Sequence, residues 1–273
     1  CAHFGKTPPC VDLIIRYQLK KVVIGTLDNH SLVFGKGVSK LKEAEIETVV
    51  GVLPEKCKQL NKRFFTFHEK KRPFIILKWA QTANGYLDNK RLLNDGRKPL
   101  KISNDEVDKL VHTWRSQEQA ILIGTNTALL DNPKLNTRLV NGKNPMRIVI
   151  DKELKIPTNY FLLDNTSETI VFNEIREEIR EKTKFILLEK TKLFQEQLLN
   201  KLFNINVQSI VVEGGKILLE TFIKNNLWDE ARIITSESEI KDGVKAPIVI
   251  GENMEEYVIE NNSIQVVKNK NSN

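Results

Sequence analysis

The chain has 273 residues, 40% hydrophobic and 28% charged, which supports a packed core and argues against wholesale disorder. No apolar run approaches the ~18 residues that cross a bilayer. Three cysteines, Cys1, Cys10 and Cys57, are too few for a disulfide scaffold and fit a reducing compartment. The net charge of +7 raises nucleic acid as a partner. The lysines, however, are spread along the chain among Glu and Asp, and no zinc-finger, RNP-like or basic heptad pattern accompanies them. A solvated basic surface is the simpler reading.

Short apolar runs alternate with segments of helical period, as in an α/β fold. Residues 21–26 and 47–52 read as strands, and 38–44 as a short helix. Pro54 opens a helix with Cys57, Leu60 and Phe64 at helical spacing. Cys57 is expected to be buried. The stretch 67–73 (FHEKKRP) breaks the periodicity and marks a boundary between domains 1–70 and 71–273. Beyond it, 74–79 reads as a strand and 85–98 as a charged loop. Ser103 to Glu106 forms a capping box with Ser103 as the cap. The helix that follows has Val107, Leu110, Val111 and Trp114 on one face. Residues 120–124, 147–151, 169–172, 184–188, 209–213, 231–236 and 246–250 read as strands. Residues 125–130 read as a short helix stopped at Asn132-Pro133, and 193–203 and 216–225 as longer ones. The last six residues are polar and expected to fray.

Several residues stand out chemically. Cys1 and Cys10 flank a Gly-Lys-Thr-Pro-Pro turn and can grip one zinc ion. On spacing alone, two unrelated cysteines fit equally well. There is no Gly-x-Gly-x-x-Gly and no P-loop. Instead, Gly124-Thr125-Asn126-Thr127 and Glu213-Gly214-Gly215 each follow an apolar strand and open a helix, where backbone amides favour an anion. Ordinary strand–helix turns are the alternative. Lys78 lies in an apolar strand, where an unpaired ammonium is costly, so it needs a partner or a ligand. Arg115 and Arg138 can fork onto a phosphate. Asp131 before Asn-Pro is either a functional acid or a helix stop. Trp79, Trp114 and Trp228 read as core.

The opening string, Cys1-Ala-His-Phe-Gly-Lys-Thr-Pro-Pro-Cys10, resembles the second half of the zinc motif of the bifunctional riboflavin-biosynthesis deaminase-reductase family. The resemblance continues through Leu77-Lys-Trp-Ala-Gln-Thr-Ala-Asn-Gly85, His112-Thr-Trp-Arg115, Gly124-Thr-Asn-Thr127, Asp131-Asn-Pro133, Leu135-Asn-Thr-Arg138, Val212-Glu-Gly-Gly215 and Leu227-Trp-Asp-Glu230. Asn84 stands where the family carries Asp, and Lys101 where many relatives carry Trp. The family's deaminase also uses an earlier His-x-Glu. None of His3, His30, His68 and His112 begins one. The chain therefore looks like a deaminase-reductase lacking the first half of its deaminase domain. The expectation is that Cys1 and Cys10, with His3 as a possible substitute ligand, hold zinc weakly or not at all and that no deamination occurs.

The fold this implies is α/β. A C-terminal dihydrofolate-reductase-like domain with a mixed sheet follows the partial second half of a cytidine-deaminase-like α/β/α domain. The function implied is cytoplasmic, NADPH-dependent reduction of 5-amino-6-(5-phosphoribosylamino)uracil, a phosphorylated pyrimidine, with no nucleic-acid or membrane partner. Family relatives are usually homo-oligomers. By the resemblance, Ala80, Lys101, Thr127, Asp131, Lys152 and the run Gly215, Lys216, Ile217, Leu218, Leu219, Glu220 and Thr221 line NADPH. Pro99, Arg115, Leu135, Arg138 and Glu213 hold substrate, with Arg115 and Arg138 nearest its phosphate. Lys78 and Asp131 are the catalytic candidates. Two other readings stay open: a dihydrofolate-reductase-like enzyme acting on another pteridine or pyrimidine, and a nucleotide-binding domain without turnover.

Overall fold

The structure, a computed structural model, describes residues 7–27, 35–93 and 95–272. The chain divides into two units, 1–72 and 73–273. Among the described residues, no helix is long and apolar enough to cross a membrane.

The first unit contains α1 (Cys10–Arg16), β1 (Lys21–Ile24), α2 (Lys36–Glu43), β2 (Glu47–Val50), α3 (Pro54–Leu60) and α4 (Lys62–Lys70). β1 and β2 pair in parallel, with Lys21 opposite Glu47 and ion-paired to it at 2.7 Å. Val11, Leu41 and Ile46 form its small core. Two expectations change here. The helix from Pro54 breaks at Asn61, which leaves Leu60 exposed, and resumes as α4. Most of 67–73 is therefore helical, ending where Lys71 turns left-handed at φ +55°. Cys57 is only half-buried, and it fills the space a Gly25 side chain would take.

The second unit contains β3 (Phe74–Gln81), β4 (Tyr86–Asp88), α5 (Asp105–Gln117), β5 (Ala120–Gly124), α6 (Thr125–Asp131), β6 (Met146–Ile150), β7 (Thr169–Asn173), β8 (Glu178–Arg180) and β9 (Thr183–Leu187). It continues with α7 (Phe194–Asn204), β10 (Ser209–Gly214), α8 (Lys216–Lys224), β11 (Glu230–Ser236), β12 (Val244–Lys245), β13 (Glu252–Ile259) and β14 (Asn262–Lys268). A ten-stranded sheet runs β13-β14-β11-β3-β10-β5-β6-β7-β9-β8. From β11 to β9 the neighbours are parallel, and β14, β13 and β8 add antiparallel edges. The sheet is mixed, as expected.

The parallel strands are near-continuous apolar runs because both of their faces are covered. On β3, Ile75, Leu77 and Trp79 join the main core with Leu198, Leu202, Leu219 and Phe222 from α7 and α8. Alternate positions turn the other way. There Ala80 packs with Val107, Val111 and Trp114 of α5 and Ile234 of β11. Each fully buried Ile or Leu contributes roughly 1.5–3 kcal/mol, so these helices are held mainly by their apolar faces.

The helix cap differs by one residue from expectation. Asn104, not Ser103, caps α5, its Oδ1 accepting from Val107 N at 2.8 Å, while Ser103 Oγ donates to Asp108. The strand expected at 246–250 is absent, with Ile248 83% and Ile250 90% exposed. The C-terminal strands are instead β13 and β14, whose hairpin the polar sequence does not announce. The tail is not frayed throughout: Asn269 is buried and its Nδ2 donates to Trp228 O at 2.8 Å.

Asp229 explains the Leu-Trp-Asp-Glu string structurally. Its carboxylate accepts from the buried amide of Ile75 at 2.8 Å, at the start of β3, and from Ser272 Oγ. Asp229→Ala strands that amide. The expected loss is about 1–3 kcal/mol of stability, seen as a lower urea midpoint with an unchanged slope.

Candidate active site

Register builds the centre of the site. β10 sets Val212 opposite Leu77 of β3, so the next residues, Glu213 and Lys78, emerge side by side on the α5 face. α5 brings Arg115 to the same point. Arg115 Nε donates to Glu213 Oε1 at 2.8 Å and Nη2 to Oε2 at 2.7 Å, a bidentate pair. Lys78 Nζ lies 3.7 Å from Glu213 Oε2. The Lys78, Glu213 and Arg115 side chains are 15%, 7% and 13% exposed. The partner that Lys78 required is thus Glu213.

Burial pulls the Lys78 ammonium below its usual range, and the charge of Glu213 only partly restores it. Burial alone would raise the Glu213 carboxyl, but Arg115 and Lys78 together hold it at about 2. The carboxylate is therefore ionised throughout the neutral range. His112 lies one helical turn before Arg115, 3% exposed, and its Nδ1 accepts from Arg138 N at 3.0 Å. Burial, then the charges of Arg115 and Arg138, lower its pKa to about 4. It is a neutral imidazole with its proton on Nε2.

The expected substrate residues divide. One edge of the Arg115 fork is committed to Glu213, so Arg115 serves the charge network as well as any phosphate. Arg138 is exposed, with Nη1 donating to Asn136 at 3.1 Å, and is open to a ligand. The Leu135 side chain is buried in core, so only its backbone could meet substrate. Pro99 is exposed on the loop before α5.

Of the expected cofactor residues, Ala80, Thr127, Lys152 and the run from Gly215 lie at or just beyond the carboxyl ends of the parallel strands β3, β5, β6 and β10, where ligands of open α/β sheets bind, whereas Lys101 lies before α5 and Asp131 ends α6. Gly214 has φ +134°, a region that favours glycine, and the Gly214-Gly215 peptide is cis. A Cβ on Gly215 would meet Thr127 Oγ1 at 3.1 Å. The glycine turn and Thr127 therefore face each other. Gly215 caps α8 without a side-chain bond, leaving first-turn amides available to an anion. Leu218 and Leu219 are buried in core and can offer only backbone, whereas Ile217 is exposed and Lys216 pairs with Glu220 at 3.7 Å. Thr221 Oγ1 donates back to Ile217 O. Ala80 packs against the α5 cluster. Lys152 pairs with Glu174 at 2.9 Å. Thr125, in the same strand–helix turn as Thr127, donates its hydroxyl to Ile150 O at 2.6 Å.

Two members of the site have partners that the sequence did not suggest. Asp131 pairs with Arg91 at 2.5 Å, and Arg91 also pairs with Asp88. Lys101 pairs with Asp105 and Asp108. The pairing of Arg91 with Asp88, three residues before it, is local, but its pairing with Asp131, forty residues on, carries no signal in the sequence. Asn84, in place of the family's Asp, donates through Nδ2 to Ile240 O, a bond a carboxylate could not make. Cavities of about 290 and 470 Å³ lie elsewhere, and none of Lys78, His112, Arg115, Arg138 and Glu213 lines them.

For zinc, Cys10 opens α1 and is exposed, while Cys1 and His3 lie outside the described residues. Among the described residues no group of three His, Cys, Asp or Glu could hold a metal ion. Those residues do not by themselves form a zinc centre.

The charge network makes two predictions. Glu213→Gln leaves two buried cations without their anion, and is expected to cost about 3–5 kcal/mol in chemical denaturation. His112 is a base whose folded pKa, about 4, lies below its ordinary 6.5. Below pH 6.5 the unfolded chain takes up a proton that the folded chain refuses. Its contribution is therefore complete above pH 6.5 and falls away as pH drops towards 4. The difference in stability between wild type and His112→Phe should narrow across that window.

Residues 73–272 match the family described as the RibD C-terminal domain. The riboflavin biosynthesis protein RibD of Aquifex aeolicus (strain VF5) is 39% identical over 251 residues, 89% of this chain and 68% of its own. A Thermotoga maritima crystal structure, described as a diaminohydroxyphosphoribosylaminopyrimidine deaminase/5-amino-6-(5-phosphoribosylamino)uracil reductase, gives a TM-score of 0.85 at 30% identity, covering 98% of this chain and 77% of its own. The Saccharomyces cerevisiae riboflavin biosynthesis reductase Rib7 shares the fold alone, with a TM-score of 0.57 at 18% identity over 72% of this chain and 90% of its own. A dihydrofolate-reductase-like sheet, the Val212–Gly215 turn and this match along the sequence place the chain in the RibD family, with residues 73–272 as the family's C-terminal domain.

Proposed function

We propose that this chain reduces 5-amino-6-(5-phosphoribosylamino)uracil to the ribitylamino product at the expense of NADPH. That it is a riboflavin-biosynthesis reductase follows from the family; cofactor, substrate and residue roles are the further reading. The observation that carries it is the layout of β10. One strand ends by placing Glu213 against Lys78 and Arg115, and its next two residues form the glycine turn facing Thr127. A polar, charged centre and a backbone cradle for a pyrophosphate are thus adjacent in the chain.

In this reading Gly214, Gly215 and the first turn of α8 receive the pyrophosphate, with Thr127 beside them. Lys152 would exchange Glu174 for a 2′-phosphate. NADPH, when bound, supplies the hydride that reduces the first carbon of the opened sugar. The net reaction also consumes one proton, which ends on the amine nitrogen. Lys78 is the donor we assign. A buried ammonium with a lowered pKa gives up a proton near neutral pH more readily than an exposed one, and Glu213 holds it in place. Arg115 keeps Glu213 ionised and aimed. Arg138, exposed and forked, takes the phosphate, because a guanidinium can bond two oxygens at once. A folate has no phosphate to use it. Asp131, neutralised by Arg91, is assigned to shaping the cofactor side of the cleft.

Two variants test the two halves of the cleft. Arg138→Ala is expected to lower kcat/KM by about 30- to 1000-fold, a loss of roughly 2–4 kcal/mol, mostly through KM. NADPH affinity should be nearly unchanged, and Arg138→Lys should recover part of the loss. Gly215→Ala puts a methyl 3.1 Å from Thr127 Oγ1 at an ordinary φ of −76°. NADPH affinity should then fall at least tenfold while the fold persists. Both are read from NADPH oxidation kinetics and cofactor titration. Equal loss of NADPH and substrate binding in Arg138→Ala would reverse the assignment of the two ends.

A further inference from the structure

We propose that His112 is a positioning residue for substrate. Its neutral Nδ1 anchors the backbone of Arg138, so that the helix delivering Arg115 to Glu213 also sets the place of the exposed phosphate-binding arginine. The inference rests on the reading of Arg138 given above.

Arg138 sits in a loop pinned on either side of it, by Leu135 in the core and by the close approach of Gly142 to Ser116 of α5. Leu135, at φ +50°, is buried in the core beneath α6. Thr137 N donates to Asn144 Oδ1 at 2.8 Å, and Thr137 Oγ1 to Lys143 O at 3.1 Å. The amide of Arg138 then donates to His112 Nδ1 at 3.0 Å. Among the described residues its long side chain bonds to nearby Asn136, two residues away, through a contact that moves with the loop. The imidazole is therefore the direct link between the Arg138 backbone and a regular element of the fold.

That link has a chemical requirement. An amide donor needs an acceptor, and an imidazolium has none. His112 must stay neutral at Nδ1, in a site faced by Arg115, Arg138, Glu213 and Asp108. The helical spacing adds the coupling. His112 and Arg115 are three residues apart on α5 and so point the same way. One rigid helix thereby fixes the Glu213 carboxylate through one residue and the Arg138 amide through the other. The distance between the charged centre and the phosphate site is then set by α5 rather than by the loop.

The test separates an acceptor from a space-filler. Asn places Oδ1 where His has Nδ1, with less bulk. Phe keeps the bulk and has no acceptor. In the whole chain, His112→Phe is expected to raise the substrate KM about tenfold with kcat and NADPH affinity little changed, whereas His112→Asn stays within about threefold of wild type. The double variant His112→Phe/Arg138→Ala should match Arg138→Ala alone, since His112 acts through Arg138. Circular dichroism and NADPH titration on every variant show that each is folded. If His112→Asn is as impaired as His112→Phe or more so, or if the double variant loses the sum of both effects, the residue packs rather than positions and the proposal is overturned. If Arg138→Ala leaves KM unaltered, the phosphate reading fails and this inference falls with it. If Arg138→Ala raises KM and His112→Phe does not, only this inference fails.

Discussion

The arrangement of the reductase unit turns on one carboxylate. Glu213 stands at the end of a central strand, nearly out of water, and two cations converge on it from different elements. Neither the acid nor the cations could be buried alone at tolerable cost. Together they tie β10 to β3 through Lys78 and to α5 through Arg115. Arg115 meets both carboxylate oxygens, so the carboxyl plane is fixed as well as its position. What the network stabilises is mainly geometry, because its Coulombic gain is offset by desolvation. A polar centre of this kind, retained inside an otherwise apolar sheet, is more economically explained by a ligand than by stability.

The same strand then changes task within two residues. Glu213 is held by side chains, whereas Gly214 and Gly215 act by having none. Gly214 has a backbone, at φ +134°, that side chains rarely adopt, and a Cβ on Gly215 would come within 3.1 Å of Thr127 Oγ1, so any side chain there crowds the turn. The polar centre and the glycine cradle cannot drift apart, since a single peptide link separates them. This is the physical content of the Val-Glu-Gly-Gly string, and it explains why a carboxylate and two glycines occur together there.

Much of this was legible in the sequence, for identifiable reasons. The parallel strands announce themselves because strands covered on both faces are apolar throughout, as in Ile75–Leu77 and Ile121–Ile123. Lys78 is conspicuous as a charge in such a run, and its need for a partner follows from burial alone. The edge strands β8 and β13 were not legible, since an exposed edge carries Glu, Arg and Asn and looks like a loop. Residues 246–250 misled in the opposite sense, because apolar Ile248 and Ile250 have a strand-like composition and no strand to pair with. The cap at Asn104 was missed by one residue because Ser and Asn both make good caps and only the geometry chooses. Arg91 and the role of His112 were hidden for a common reason. Arg91 meets Asp131 forty residues on and His112 meets Arg138 twenty-six residues on, pairings a single sequence does not reveal, whereas Asp108 is matched locally by Ser103 and Lys101 in the turn before α5.

The charge balance of the cleft bears on which ligand it suits. Lys78 and Arg115 share one carboxylate, leaving one net positive charge at the centre. Around it the acids are already matched: Asp108 by Lys101, and Asp131 by Arg91. Arg138 adds an exposed cation and makes no ion pair among the described residues. An incoming phosphorylated ligand therefore meets cations and no unmatched carboxylate. A neutral heterocycle of similar shape would gain nothing from Arg138 and would leave the central charge uncompensated in a site from which it had displaced water. Desolvation strengthens every remaining electrostatic term, so the penalty grows as the ligand closes the cleft. In the function proposed above, this charge pattern would select against unphosphorylated relatives of the substrate by the same physics that favours the phosphorylated one, through the contrast between a buried, committed Arg115 and an exposed Arg138.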